Sequence, residues 1–270
     1  WRYALGENVK FDIKVVKNSV LLQNVDIYYE VSYDMMTPLK KKKAKLKNGT
    51  LTVNAGSMDI PGFLRCQVWA KYDGKTYKGL ATAAFTPEEI KPTAVLPSDF
   101  DAFWEKAKSE NAKIPLDSRL RLIPERCTGK INVYELNIQN YRMGSRIYGI
   151  LCIPKAPGKY PALLRVPGAG VRPYNGMVGE AEDGMITLDI GIHGIPVTMD
   201  PVIYNNLLNG ALYQYQYINW DNRDEVYFKR VYLGCIRAVD YIFSMEEFDG
   251  RNIMVYGGSQ GGLWQLLRQL

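Results

Sequence analysis

Alternation of apolar and polar side chains dominates the first third of the chain. Residues 8–16 (NVKFDIKVV) and 26–33 (DIYYEVSY) switch character almost residue by residue, the period of a half-buried strand. Residues 64–72 (LRCQVWAKY) do the same, and residues 76–80 lead away from them. Asn48-Gly49 and Asp73-Gly74 stand between such runs. These dipeptides accept the positive φ angles of tight hairpin turns. Short strands at this spacing predict a small β-sandwich over residues 1–86.

The alternation stops at residues 87–97, where Pro87 and Pro92 restrict their neighbours and withhold donors, as in a linker. A helical period follows. Ser98 is the expected N-cap, with Asp101 three residues on, and Phe100, Phe103, Trp104 and Ala107 fall on one face. Residues 133–138 and 147–153 read as a strand pair. Residues 160–166 form a third strand, ending in Pro167-Gly168-Ala169-Gly170, and residues 185–190 a fourth, followed by Gly191 and His193. Tyr227, Val231, Cys235, Ala238, Val239 and Ile242 keep helical spacing over residues 227–243, and residues 252–256 return to a strand. Strand, loop, helix, strand predicts an α/β domain over residues 98–270.

The last strand runs directly into Gly257-Gly258-Ser259-Gln260-Gly261-Gly262. Gly-x-Ser-x-Gly after a strand is the pattern of a nucleophile elbow. A sharp strand-to-helix turn lifts the serine hydroxyl out of the sheet, and Gly257 and Gly261 remove side chains where backbones must come close. Amides at the following helix start favour negative charge, so the Gln260 N–H is one expected oxyanion donor. The second should come from the loop after an earlier strand, with the Ala169 N–H the candidate. A nucleotide-binding loop is the competing reading. It lacks the Gly-Lys-Ser/Thr of a phosphate loop, and Pro173 stands where a third fingerprint glycine would be.

Composition narrows the partners. With 270 residues, 47% hydrophobic and 23% charged, the chain is globular rather than disordered or disulfide-scaffolded. A net charge of +6 over this length is no nucleic-acid signature. Lys40–Lys43, Lys45 and Lys47 read as a solvated edge strand, a charged run that resists sheet-to-sheet pairing, rather than a site for an acidic polymer. Cys66, Cys127, Cys152 and Cys235 contain no C-x-x-C pair, so no zinc site is expected and buried free thiols are. No run of eighteen apolar residues is present, so no helical membrane span is expected. The chain starts at Trp1 without a basic-then-apolar leader. A leader removed earlier would imply the periplasm or secretion, and the cytoplasm is the alternative.

Residues 97–262 resemble the acetyl xylan esterase / cephalosporin C deacetylase family of α/β-hydrolases. The resemblance is carried by residues 99–104 (DFDAFW), 147–151 (IYGIL), 160–165 (YPALLR), 227–233 (YFKRVYL), Arg237-Ala238 and the long elbow motif at 257–262. It implies a serine attacking a short acyl ester, usually acetyl on a sugar, without metal or organic cofactor. Ser259 is then the nucleophile, and the Gln260 and Ala169 amides form the oxyanion hole. Many members have His-Gly-Tyr where this chain has Pro167-Gly168-Ala169. A backbone donor survives that change, while a tyrosine wall of the acyl pocket does not. Residues 1–85 lie outside the common family core. Some members form ring-like homo-oligomers, which makes one possible for the full-length form.

An α/β-hydrolase serine needs an acid and then a histidine later in the chain. Residues 263–270 contain neither, so both triad partners are expected outside the chain. His193, the one histidine, precedes the serine and is a candidate pocket-lining residue rather than the base. Residues 262–270 (GLWQLLRQL) replace the small-residue helix expected there. One back-translation of them, read one base earlier, gives Gly-Ala-Leu-Ala-Ile-Val-Thr-Ala-Ala-Leu. This predicts a frameshifted, incomplete catalytic domain that is inactive and aggregation-prone as written. The alternatives are another α/β-hydrolase, a peptidase or dienelactone-type enzyme, and a non-catalytic glycan-binding protein using Tyr28, Tyr29, Tyr33, Trp69 or Tyr72.

Overall fold

A computed structural model describes the backbone of residues 1–265 and the side-chain surroundings of residues 1–262. The expectation of a displaced frame at the C-terminus rests on the side chains of residues 263–270, which lie outside those described. The chain divides after Val95 into two compact units.

The first unit contains β1 (Arg2–Tyr3), β2 (Val9–Lys14), β3 (Val16–Lys17), β4 (Val20–Leu21), β5 (Val25–Tyr33), β6 (Lys40–Leu46), β7 (Thr50–Gly56), β8 (Gly62–Tyr72) and β9 (Lys75–Phe85). Five strands form one sheet in the order β1-β9-β8-β5-β6, and β2 pairs with β7 in a second. Alternation decides what lies between them. Phe11 and Ile13 of β2, Val53 of β7, Ile27 and Val31 of β5 and Leu64 of β8 share one buried core. The intervening polar residues stay outside, as in a sandwich.

The two expected turns differ. Asp73 and Gly74 take φ of 51° and 69° between β8 and β9, whose Tyr72 and Lys75 face each other. That is a two-residue hairpin turn. Asn48-Gly49 makes no hairpin: β6 pairs with β5, whereas β7 pairs with β2, so the chain changes sheets there. β6 is the edge strand and carries the lysine run, with Lys41 3.8 Å from Glu30 and Lys45 3.9 Å from Asp26 across to β5.

The second unit holds a six-stranded sheet. Its strands are β10 (Arg119–Leu122), β11 (Ile131–Gln139), β12 (Arg146–Pro154), β13 (Tyr160–Arg165), β14 (Ile186–Gly191) and β15 (Phe248–Tyr256), ordered β10-β11-β12-β14-β13-β15. β10 to β12 run antiparallel, and β14, β13 and β15 are parallel to one another. The helices are α1 (Phe100–Ala112), α2 (Val178–Glu182), α3 (Pro201–Asn209), α4 (Tyr227–Phe243) and α5 (Gln260–Gln265). Both faces of the sheet are covered. Val231, Cys235, Ala238 and Ile242 of α4 share a core with Leu164, Leu188 and Ile190. Val133, Ile150 and Cys152 point the other way and pack with Tyr174 and Ala181.

The start of α1 differs from the expected Ser98 cap. Ser98 does not cap α1; Asp99 occupies the cap position and makes no side-chain cap bond. The Asp99 carboxylate instead meets Arg223 at 2.7 Å, an ion pair that replaces the local bond. At α3 the Asp200 carboxylate accepts from the Val202 N–H at 2.8 Å and Pro201 takes the first helical position. That is a complete start signal. Among the described residues, no helix is long and apolar enough to cross a membrane.

Candidate active site

The chemistry gathers where β13, β14 and β15 end. β15 stops at Tyr256, and three residues later Ser259 takes φ of 55°, in the left-handed region. A non-glycine residue there is strained, and Ser259 is exposed between strand and helix. The two elbow glycines have distinct reasons. A Cβ on Gly257 would stand 2.7 Å from the Gly261 carbonyl oxygen, and one on Gly261 would stand 2.6 Å from the Val166 carbonyl oxygen.

The loop after β13 comes up beside this turn. A Cβ on Gly168 would lie 3.2 Å from the Gly258 carbonyl oxygen and 3.8 Å from the Ser259 Cβ. Arg172 reaches back and donates from Nη2 to the Gly168 carbonyl at 2.9 Å and to the Ala169 carbonyl. The backbone N–H groups of Ala169 and Gln260 meet no acceptor among the described residues. Ser259 and Ala169 line one cavity of about 510 Å³. Ala169 and Gln260 line a second of about 430 Å³.

Arg165, Asp189, Arg172, Tyr174 and Asn175 complete the wall of the first cavity. Asp189 is fully buried and held by Arg165 through Nε at 2.9 Å and through Nη2. This carboxylate is therefore committed to its neighbour on the adjacent strand and not to Ser259.

His193 does not line either cavity. It is buried beneath the Gly170 peptide, with Nδ1 2.7 Å from the Tyr227 hydroxyl and Nε2 3.0 Å from the Gly170 carbonyl. A carbonyl only accepts, so Nε2 carries the proton and Nδ1 accepts from Tyr227. Burial, reinforced by the charges of Arg230 and Arg172, lowers its pKa from 6.5 to about 4. The imidazole is neutral with both nitrogens engaged, so it has no free position for abstracting a proton from Ser259. Pattern reading had missed Tyr215, which accepts from the Gly170 N–H at 3.3 Å and donates to Gln260 Oε1 at 2.7 Å. It sits in an alternating Tyr/Gln stretch, and nothing local marks its role. The helical spacing marks Tyr227 only as a core position of α4, and its hydroxyl contact with His193 leaves no sequence signal.

The aromatic residues of the first unit separate by face. Tyr29 is in the core and Tyr72 packs against it. Tyr28 and Trp69 are cross-strand partners outside it, with ring centroids 5.4 Å apart. Among the described residues no group of His, Cys, Asp and Glu is arranged to hold a metal.

A family model described as acetyl xylan esterase matches residues 86–267. Acetyl esterase Axe7A of Xylanibacter ruminicola is 36% identical over 272 residues, an alignment covering 99% of this chain and 61% of that protein. The chain thus spans about three fifths of that relative's length. The acetyl xylan esterase 1 structure from Thermoanaerobacterium sp. JW/SL YS485 is 22% identical, with a TM-score of 0.51 over 65% of this chain and 55% of that one. An acetyl xylan esterase structure from Paenibacillus sp. R4 is 31% identical, with a TM-score of 0.49, covering 66% and 57% respectively. The family match and the likeness to the Thermoanaerobacterium structure support an α/β-hydrolase fold.

Proposed function

The chain belongs to the acetyl xylan esterase family, and we propose that it carries the nucleophile and oxyanion part of a serine esterase acting on acetylated saccharides. The observation that carries this reading is the left-handed Ser259 beside two amides without acceptors, those of Ala169 and Gln260. Ser259 Oγ attacks the acyl carbonyl carbon as its proton passes to a base, and the carbonyl oxygen becomes an oxyanion facing those amides. Collapse of the tetrahedral intermediate breaks the bond to the sugar oxygen, which takes up a proton and leaves. Water then attacks the acyl-serine, releases acetate and returns the proton to Ser259. No cofactor enters.

The base is not found among the described residues. His193 has both nitrogens engaged, and Asp189 is bound by Arg165. We assign the proton shuttle to a histidine and its orienting acid outside the described residues, so the 270-residue chain alone should turn over slowly or not at all. The charged cavity wall of Arg165, Arg172 and Asp189 supports a polar leaving group such as a sugar.

Hydrolysis of p-nitrophenyl acetate by this chain, and by a form extended to the relative's length, tests the reading. Activity confined to the extended form and abolished by Ser259→Ala supports it. Activity that survives Ser259→Ala refutes it. A peptidase or dienelactone-type hydrolase is the competing reading, and turnover of peptides in place of acetylated xylo-oligosaccharides would favour it.

A further inference from the structure

We infer that His193 and Tyr215 are positioning residues that clamp the loop at Gly168–Gly170 to the turn carrying Ser259, which fixes the Ala169 and Gln260 amides relative to one another. The inference rests on the assignment of those amides as oxyanion donors.

Residues 166–177 form neither helix nor strand, so beyond Val166 no strand ladder sets their position. Two side chains take over that task at a single residue, Gly170. The Gly170 carbonyl accepts from His193 Nε2 at 3.0 Å, and the Gly170 N–H donates to the Tyr215 hydroxyl at 3.3 Å. Tyr215 passes the connection on by donating to Gln260 Oε1 at 2.7 Å. Gln260 directly follows Ser259, so one tyrosine oxygen joins the two donor segments, each 45 residues away in sequence.

His193 is itself anchored by Tyr227 of α4 at 2.7 Å. The three rings pack as a cluster, His193 to Tyr215 at 4.7 Å edge-on and Tyr215 to Tyr227 at 5.3 Å. They come from the loop after β14, a short 3-10 turn (Tyr215–Tyr217) and α4, so the clamp is referenced to three separate elements. The arrangement requires a proton on Nε2 for the Gly170 carbonyl, and the neutral ring of that tautomer leaves Nδ1 to accept from Tyr227. The low basicity of the buried ring agrees with that requirement.

The lone histidine makes the test direct. In the 15N-labelled chain, the imidazole spectrum contains one pair of ring nitrogens. The expected result is a protonated Nε2 and a bare, hydrogen-bonded Nδ1, unchanged from pH 8 to pH 6. A bare Nε2, with no proton to give the Gly170 carbonyl, overturns the proposal. Tyr215→Phe, which removes one oxygen, should speed hydrogen exchange at the Gly170 amide about tenfold and shift the Ala169 and Gln260 amide resonances. The Leu136 amide in β11 should stay unchanged. His193→Leu should produce the same shifts, and His193→Gln, which keeps a donor for the Gly170 carbonyl, should restore them in part. If His193→Leu fails to fold, Tyr215→Phe decides. Ala169 and Gln260 resonances indifferent to Tyr215→Phe refute the clamp. These readouts require no turnover and should persist in Ser259→Ala. A failed clamp is therefore distinguishable from a failed esterase assignment, which the p-nitrophenyl acetate comparison tests alone.

Discussion

The backbone of Gly261 approaches Val166 so closely that a Cβ on the glycine would sit 2.6 Å from the Val166 carbonyl oxygen. A carbonyl fixed at the end of a parallel strand cannot move aside as a flexible side-chain tip can. Gly261→Ala should therefore cost about 2–3 kcal/mol, the usual scale for overpacking at a fixed backbone. A urea titration read by tryptophan fluorescence measures it, and an unchanged midpoint would count against the close approach.

Arg237 is buried in the second unit and engages three partners. It donates to the Ile114 carbonyl at 2.6 Å and the Gln139 carbonyl at 3.5 Å, and pairs with Asp240 at 3.1 Å. Arg237→Met keeps the apolar stem but leaves carbonyls unmet at the junction of α1, β11 and α4. A loss of about 2–4 kcal/mol is expected, with a lower thermal midpoint as the readout.

The pair of Arg165 and Asp189 should behave asymmetrically. Asp189 is fully buried, whereas the Arg165 side chain is 36% exposed. Arg165→Met strands a carboxylate and should cost about 3 kcal/mol or more. Asp189→Leu releases a guanidinium that can turn toward water, and should cost less. Converting both together should recover part of the loss, which a double-mutant cycle by chemical denaturation resolves.

His193 links stability to pH. Tyr227, Tyr215, Arg230, Arg172 and the Gly170 carbonyl surround it. Its pKa falls to about 4 in the folded chain from 6.5, so between those values the unfolded chain binds the extra proton. Stability should fall as pH drops from about 6.5 to about 4, by on the order of 3 kcal/mol for this group, and level off below. His193→Gln should flatten that slope. An equal slope in both proteins would show that other groups set it.

Elements with a strong period were legible. α4 matches the apolar spacing of residues 227–243, and β11 and β12 pair as the two alternating runs suggest. Asp73-Gly74 reads correctly because both strands it joins belong to one sheet. Asn48-Gly49 misleads because a turn dipeptide reports local φ and not which sheet its flanks will join. The elbow was legible for the opposite reason: its geometry is so restrictive that few residues satisfy it. What stayed hidden are the partners set by tertiary placement. Tyr215, Tyr227 and Arg172 act through contacts with residues distant in sequence or with carbonyls, and neither leaves a periodic trace. Asp200-Pro201 was a readable start for α3 that the apolar pattern alone passes over.

The crossing at Asn48-Gly49 also orders assembly in time. β8 and β9 meet through two residues, so that hairpin closes with little loss of chain freedom. β2 waits for β7, with Lys14 opposite Thr50 and Phe11 opposite Val53, and their pairing closes a stretch of chain that contains β5 and β6. Pairing over such a span is slow to nucleate. The hairpin of β8 and β9 should therefore form before β2 finds β7. In pulse-labelled hydrogen exchange, Val68 should gain protection before Phe11.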